Sequence, residues 1–140
     1  MNRVYIDGIF DLFHRGHLES LRQAKNIYDN TYLIVGVISD EDARDYKRLP
    51  IISEVDRLEI IKSIDIVNEV IENAPLVITE DFVIRNNLDL VVHGFSNEED
   101  WLKQKTFFEY LIQSGKFKKI NYYQETSTTS IINKIKRIEN

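Results

Sequence analysis

The sequence predicts an α/β fold, a Rossmann-like doubly wound parallel sheet of about five strands with helices on both faces. Two observations predict it. Short apolar runs alternate with amphipathic segments along the whole chain, the order expected of parallel strands joined by helical crossovers. The longest run, Tyr32–Ile38, is β-branched and nearly unbroken, as a strand covered on both faces should be. With 140 residues, 43% of them apolar, the chain has the size and material for one domain spanning residues 1–140 around a single core.

Val4–Ile6 stops at Asp7-Gly8 and reads as the first strand. Leu18, Leu21, Ala24 and Tyr28 then recur at near-helical spacing, predicting a helix over His17–Tyr28. Tyr32–Ile38 is the second strand, and Ser39-Asp40, with acids in the next turn, caps a short helix through Ala43. A basic loop, Lys47-Arg48-Leu49-Pro50, separates it from a helix capped by Ser53, with Val55, Leu58, Ile61 and Ile64 as its buried stripe. Val67–Ile71 is a third strand, and Thr79 caps a helix running to Asn87. Leu88–Val92 is a fourth, ending at His93-Gly94. Trp101, Phe108 and Leu111 line one side of a helix over about 98–113, and Lys119–Tyr123 is a weaker strand. Ile131, Ile135 and Ile138 form the buried stripe of a last helix that starts near Ser127. No repeat, linker or low-complexity stretch interrupts the pattern.

Composition removes several functions. The formal net charge is −5, which argues against general nucleic-acid binding, where a basic surface supplies most of the affinity. There is no cysteine, hence no disulfide and no thiolate metal site. No apolar run reaches membrane-spanning length and the start lacks the features of a signal peptide. A protein of the cytoplasm, without membrane insertion, is expected.

Ligands of open α/β sheets bind beyond the carboxyl ends of the strands, where the strand order reverses. That rule singles out the loops after strands one and two and His93-Gly94 after strand four. The first of these carries the most chemistry. Gly8 lets backbone turn sharply or approach a ligand. His14 and His17 stand one turn apart at a helix start, where free amides and the helix dipole favour an anion. Two imidazole donors there would stabilise charge growing on phosphoryl oxygens, and Gly16 between them would let a phosphate come close. Surface histidines are the plainer reading. Zinc is another, disfavoured by the absence of cysteine and by a single further histidine.

The stretch DGIFDLFHRGHLESLRQAK resembles the first signature of the cytidylyltransferases, which activate phosphocholine, phosphoethanolamine or glycerol 3-phosphate with CTP. The resemblance continues through YLIVGVISDEDARDYK and RLEIIKSIDIVNEVIENAP to the last helix. It implies that His14 and His17 hold the CTP phosphates and stabilise the transition state, with Lys47 bridging the phosphates of the two substrates. It further implies nucleotide-binding roles for Gly8, Ile9, Phe10 and Asp11, for Gly16 and Arg57, for His93 and Gly94, and for the cluster Ser127, Thr128 and Thr129. The family pattern has an arginine, threonine, glutamate and glycine before that cluster, where this chain has Tyr122-Tyr123-Gln124-Glu125. Lys118 or Lys119 is a candidate replacement for the lost charge. Choline-type relatives have a tryptophan after Ala-Pro and an acid after the strand-four histidine. Here Leu76 and Gly94 stand there, which points to phosphoethanolamine. The implied reaction joins CTP to this acceptor with Mg2+ bound through the CTP phosphates, without a metal bound by the protein, in a homodimer. Choline-phosphate or glycerol-3-phosphate as acceptor, adenylyl transfer from ATP, and a nucleotide-binding module without turnover remain as alternatives.

Overall fold

The computed structural model describes residues 1–138, so the last two positions of the expected 1–140 domain lie outside the described residues. Strand β1 (Asn2–Gly8) leads through helix α1 (Arg15–Lys25) to β2 (Thr31–Val37). Helices α2 (Asp40–Tyr46) and α3 (Glu54–Lys62) precede β3 (Glu69–Ile71), and α4 (Glu80–Arg85) precedes β4 (Leu90–Gly94). After α5 (Glu98–Gln104), a 3-10 turn (Lys105–Phe108) and α6 (Glu109–Ser114), the chain forms β5 (Phe117–Ile120) and ends in α7 (Thr128–Lys136). The five strands lie in the order β3-β2-β1-β4-β5, and every pairing is parallel. The α/β architecture and the strand number agree with the sequence.

Alternate residues of each central strand feed opposite faces, as the two-residue period of a strand demands. Val4, Ile6, Leu33, Val35 and Val92 pack with Leu21, Ala24 and Ile61 on the side of α1 and α3. Tyr5, Ile34 and Val91 pack with Phe82, Val83, Phe108 and Leu111 on the side of α4 and α6. The order reverses between β1 and β4, and there the pairing is short. It covers Val4 with Leu90 and Tyr5 with Val91, whereas β1 pairs with β2 along seven positions. Beyond Tyr5 the strands part, leaving Asp7 and His93 on either side of an opening.

Several elements depart from the sequence reading. The expected 98–113 helix is broken by the 3-10 turn, which lets Trp101 stay half-buried while Phe108 and Leu111 enter the core. The last strand lies earlier than 119–123, with Phe117 and Ile120 inward and Lys118 and Lys119 exposed. Of the stripe expected for α3, Ile61 is buried and Leu58 and Ile64 pack against the core, but Val55 is 67% exposed and Arg57 is buried in its place. Tyr28 lies past the end of α1 and is exposed, and Ile135 and Ile138 are also exposed, so α7 buries no residue of its stripe. Among the described residues no helix is long and apolar enough to cross a membrane.

Candidate active site

The opening between β1 and β4 continues as a cleft of about 320 Å³. Every candidate residue named from the sequence lines it except Arg57 and the replacement candidates Lys118 and Lys119. The loop from Gly8 to His14 forms its floor and carries two non-glycine residues in the left-handed region, Phe10 (φ 57°) and Leu12 (φ 49°). Such backbone costs on the order of 1–3 kcal/mol per residue and persists only where surrounding contacts hold it. Asp11 supplies those contacts. It is 3% exposed and accepts from the Ile51 and Ile52 N–H groups at 2.8 and 2.9 Å and from Arg48 at 3.2 Å. Burial alone would raise the pKa of its carboxyl, but these donors outweigh burial and lower it.

The two histidines are fixed by the helix they start. His14 is the N-cap of α1; its Nδ1 accepts from the Gly16 N–H at 2.9 Å, while His17 Nδ1 accepts from the His14 N–H at 3.2 Å. An Nδ1 that accepts carries no proton, so each neutral ring bears its hydrogen on Nε2. Thr128 agrees with this for His14. Its hydroxyl donates to the Asp11 carbonyl at 3.0 Å, so at 3.3 Å from His14 Nε2 it is the acceptor. The rings stack with centroids 3.9 Å apart, and Phe10 and Phe13 press on His17. Burial, with His14 as a second cause, pulls the His17 pKa down to about 3, and burial also lowers that of His14. Both neutral rings line the cleft at the positive end of a helix, the His17 Nε2–H without a partner among the described residues and the His14 Nε2–H resting on Thr128.

Gly16 is needed for this geometry. A Cβ there would come within 2.7 Å of His14 Cε1 and 3.1 Å of the Thr126 carbonyl oxygen. On the facing wall, Ser127 caps α7 by accepting from the Ser130 N–H at 3.1 Å, and Thr128 and Thr129 also line the cleft. Lys47 lies at the rim, exposed, just past α2; among the described residues its ammonium forms no ion pair.

Arg57 stands behind the cleft rather than in it. Its side chain is fully buried, donating to the carbonyls of Ile9 (2.6 Å), Ile38 (2.8 Å) and Ile52 (2.9 Å) and to Asp40 (2.7 Å). Direct nucleotide contact, expected from the sequence, gives way here to a staple beneath three loops. Lys118 and Lys119 do not line the cleft either, and Lys119 Nζ lies 3.7 Å from the Trp101 ring centroid.

The sequence reading also left out several wall residues. Asp7 is 6% exposed, and its Oδ1 lies 3.2 Å from His93 Nδ1 without the alignment of a hydrogen bond. Tyr46, Asp100 and Gln104 also line the cleft. The carboxyl-end rule already pointed at Asp7, the residue just before Gly8. Nothing local distinguished Asp100 from the neighbouring acids Glu98 and Glu99.

The family model described as cytidylyltransferase-like matches residues 5–134. The chain belongs to the cytidylyltransferase-like family. It is 37% identical over 140 residues to choline-phosphate cytidylyltransferase A of Rattus norvegicus, covering 96% of this chain and 36% of that protein. It is 36% identical over 133 residues to ethanolamine-phosphate cytidylyltransferase of Dictyostelium discoideum, covering 95% of this chain and again 36% of the relative. This cytidylyltransferase-like chain thus spans about a third of the length of both relatives. Among solved structures, the lipopolysaccharide core biosynthesis protein from Thermoplasma volcanium matches with a TM-score of 0.68 at 26% identity, over 90% of this chain and 99% of that one. The pantoate-beta-alanine ligase from Francisella tularensis matches with a TM-score of 0.56 at 13% identity, over 98% of this chain and 70% of that one, a likeness of fold alone.

Proposed function

We propose that this chain transfers a cytidylyl group from CTP to a small phosphorylated alcohol, phosphoethanolamine, giving CDP-ethanolamine and pyrophosphate. The observation that carries the reading is the locked histidine pair at the start of α1, opposite the hydroxyls that open α7. A phosphate oxygen of the acceptor attacks the α-phosphorus of CTP in line. The bond from that phosphorus to the oxygen bridging the β-phosphate breaks, and pyrophosphate leaves with the electron pair. The acceptor's second pKa is near ~6, so the attacking oxygen is ionised at neutral pH and no general base is required. The protein's task is to hold two anions in line and to neutralise charge that grows on the α-phosphate. His17 donates there through Nε2, His14 does so by turning its Nε2–H from the Thr128 hydroxyl to the phosphate, and Lys47 reaches in from the rim between the phosphates of the two substrates.

Mg2+ bound to the triphosphate would supply further charge neutralisation. We assign it to the nucleotide: among the described residues no group of three or more His, Asp or Glu is placed to hold a metal, and the Asp11 carboxylate is already occupied. The relatives' names carry both head groups at nearly equal identity, so the choice of phosphoethanolamine rests on Leu76 and Gly94 in the cleft wall. A homodimer in the cytoplasm completes the proposal, with exposed Leu49, Ile51 and Val55 as apolar surface for the partner copy to cover.

The test is to incubate the purified chain with CTP, Mg2+ and phosphoethanolamine, phosphocholine or glycerol 3-phosphate. Pyrophosphate together with CDP-ethanolamine is expected. Pyrophosphate release with none of the acceptors, or only when ATP replaces CTP, overturns the reading. A monomer mass by light scattering at micromolar concentration removes the dimer.

A further inference from the structure

The cleft is lined by groups of both signs. Arg48 pairs with Asp11 in the loop that leads to α1, while the charges of Asp7 and Asp100 act on the Tyr46 phenol and that of Asp100 on Tyr122. We propose that Asp100 is the specificity-determining residue that selects a cationic acceptor, by taking the ammonium group of the amino-alcohol phosphate. The inference rests on the reading of the cleft as a nucleotidyl-transfer site and adds to it a residue and a criterion of choice.

Asp100 is built for this task. Its Oδ2 accepts from the Ser96 N–H at 3.0 Å and from the Ser96 hydroxyl at 3.2 Å, and its Oδ1 accepts from Gln104 at 2.7 Å. The braces hold the carboxylate in one orientation on α5, whose Asn97 cap fixes the Asp100 backbone at 2.8 Å. A carboxylate has roughly four acceptor sites, so three donors leave one, directed by the bracing. Against the pull of burial, these donors lower the carboxyl pKa, and the group stays ionised at neutral pH. Burial first, then the charges of Asp100 and Asp7, raises the Tyr46 phenol, while burial and Asp100 raise that of Tyr122. Both phenols therefore remain protonated and neutral beside the carboxylates.

A second, independent feature asks for the same ligand. The Asp7 side chain, only 4% exposed, accepts no hydrogen bond among the described residues although it lines the cleft. Its oxygens open onto the cleft, where a bound ammonium could reach them. Lys103, which also lines the cleft, is exposed and forms no ion pair with Asp100 among the described residues. An acceptor bearing both a phosphate and an ammonium group matches a cleft lined by both basic and acidic side chains. A primary ammonium also has an N–H for the free site on Asp100, which a quaternary ammonium lacks.

The experiment compares phosphoethanolamine with 2-hydroxyethyl phosphate, a neutral analogue of nearly the same shape. Dissociation constants are measured by calorimetry with a non-hydrolysable CTP analogue bound, so the result does not depend on turnover. The wild type is expected to bind phosphoethanolamine at least about tenfold tighter, and Asp100→Asn or Asp100→Ser to reduce that ratio to near one. A ratio between two ligands cancels any loss of folded protein. Equal affinity in the wild type, or a ratio preserved in both variants, overturns the assignment. A missing pyrophosphate signal with an intact ratio would instead remove the proposed reaction and leave Asp100 as a ligand-selecting residue.

Discussion

His14 and His17 each commit Nδ1 to a backbone N–H of the same turn, and that commitment decides what they do. Protonating either ring would require breaking a cap. They are suited to donating toward an anion and unsuited to shuttling protons. Replacing either with alanine is expected to lower cytidylyl transfer by about a hundredfold or more, with the variants still folded by circular dichroism; near-normal turnover would exclude the roles assigned. A pH effect on stability follows from His17. Its pKa of about 3 in the folded chain compares with 6.5 for a free histidine. Below pH ~6.5 the unfolded chain takes up a proton that the folded chain refuses, so stability falls as the pH drops from there toward ~3 and then levels off. By pH 5 the loss from this residue is about 2 kcal/mol. Urea midpoints at pH 7 and pH 5 should differ clearly in the wild type and less in His17→Asn; an equal drop in both would remove the cause given. The spacing of these histidines at a helix start was legible in the sequence. Their tautomers were not, because which nitrogen accepts depends on how the turn closes.

Helix α1 shows how an element serves its site. Gly16 lies in its first turn, where helix propensity alone would favour alanine. A Cβ, however, would press on the His14 ring and the Thr126 carbonyl. Gly16→Ala should cost at least about tenfold in turnover through displaced imidazole while the melting temperature changes little; full activity would show that the ring can move aside. The elements best read from sequence were those with a clear period and a chemical stop, such as β2 before the Ser39 cap. Reading failed where tertiary packing overrode the local signal. The 98–113 stretch has helical spacing throughout, yet the chain tightens at Lys105–Phe108 to turn Phe108 inward. In α7, Ile131, Ile135 and Ile138 keep a perfect stripe, but the body of the protein meets the beginning of that helix rather than its side.

At the scale of the whole molecule, Arg57 joins what the sheet leaves loose. Its guanidinium gathers carbonyls from the loop after β1, the end of β2 and the segment before α3. A lysine keeps the charge but not the planar fork. Arg57→Lys should therefore lower stability by about 3 kcal/mol, the scale of leaving a buried charged network incomplete. Chemical denaturation measures it, and a loss below ~1 kcal/mol would mean the staple is dispensable. Its burial could be anticipated from the spacing of Arg57, Ile61 and Ile64 on one face, but a charged residue does not ordinarily register as core. The placement of the cleft was the most legible feature, because the carboxyl-end rule depends on strand order and not on side-chain detail. One contact carries a consequence for the order of assembly. The Thr128 hydroxyl meets the Asp11 carbonyl and the His14 ring across more than a hundred residues, so the first loop acquires its far wall only after the opposite edge of the sheet has formed. A ribosome making this chain would release a β1–α1 unit, histidines in place, long before that unit had anything to close against, and substrate binding would have to wait until Thr128 had emerged.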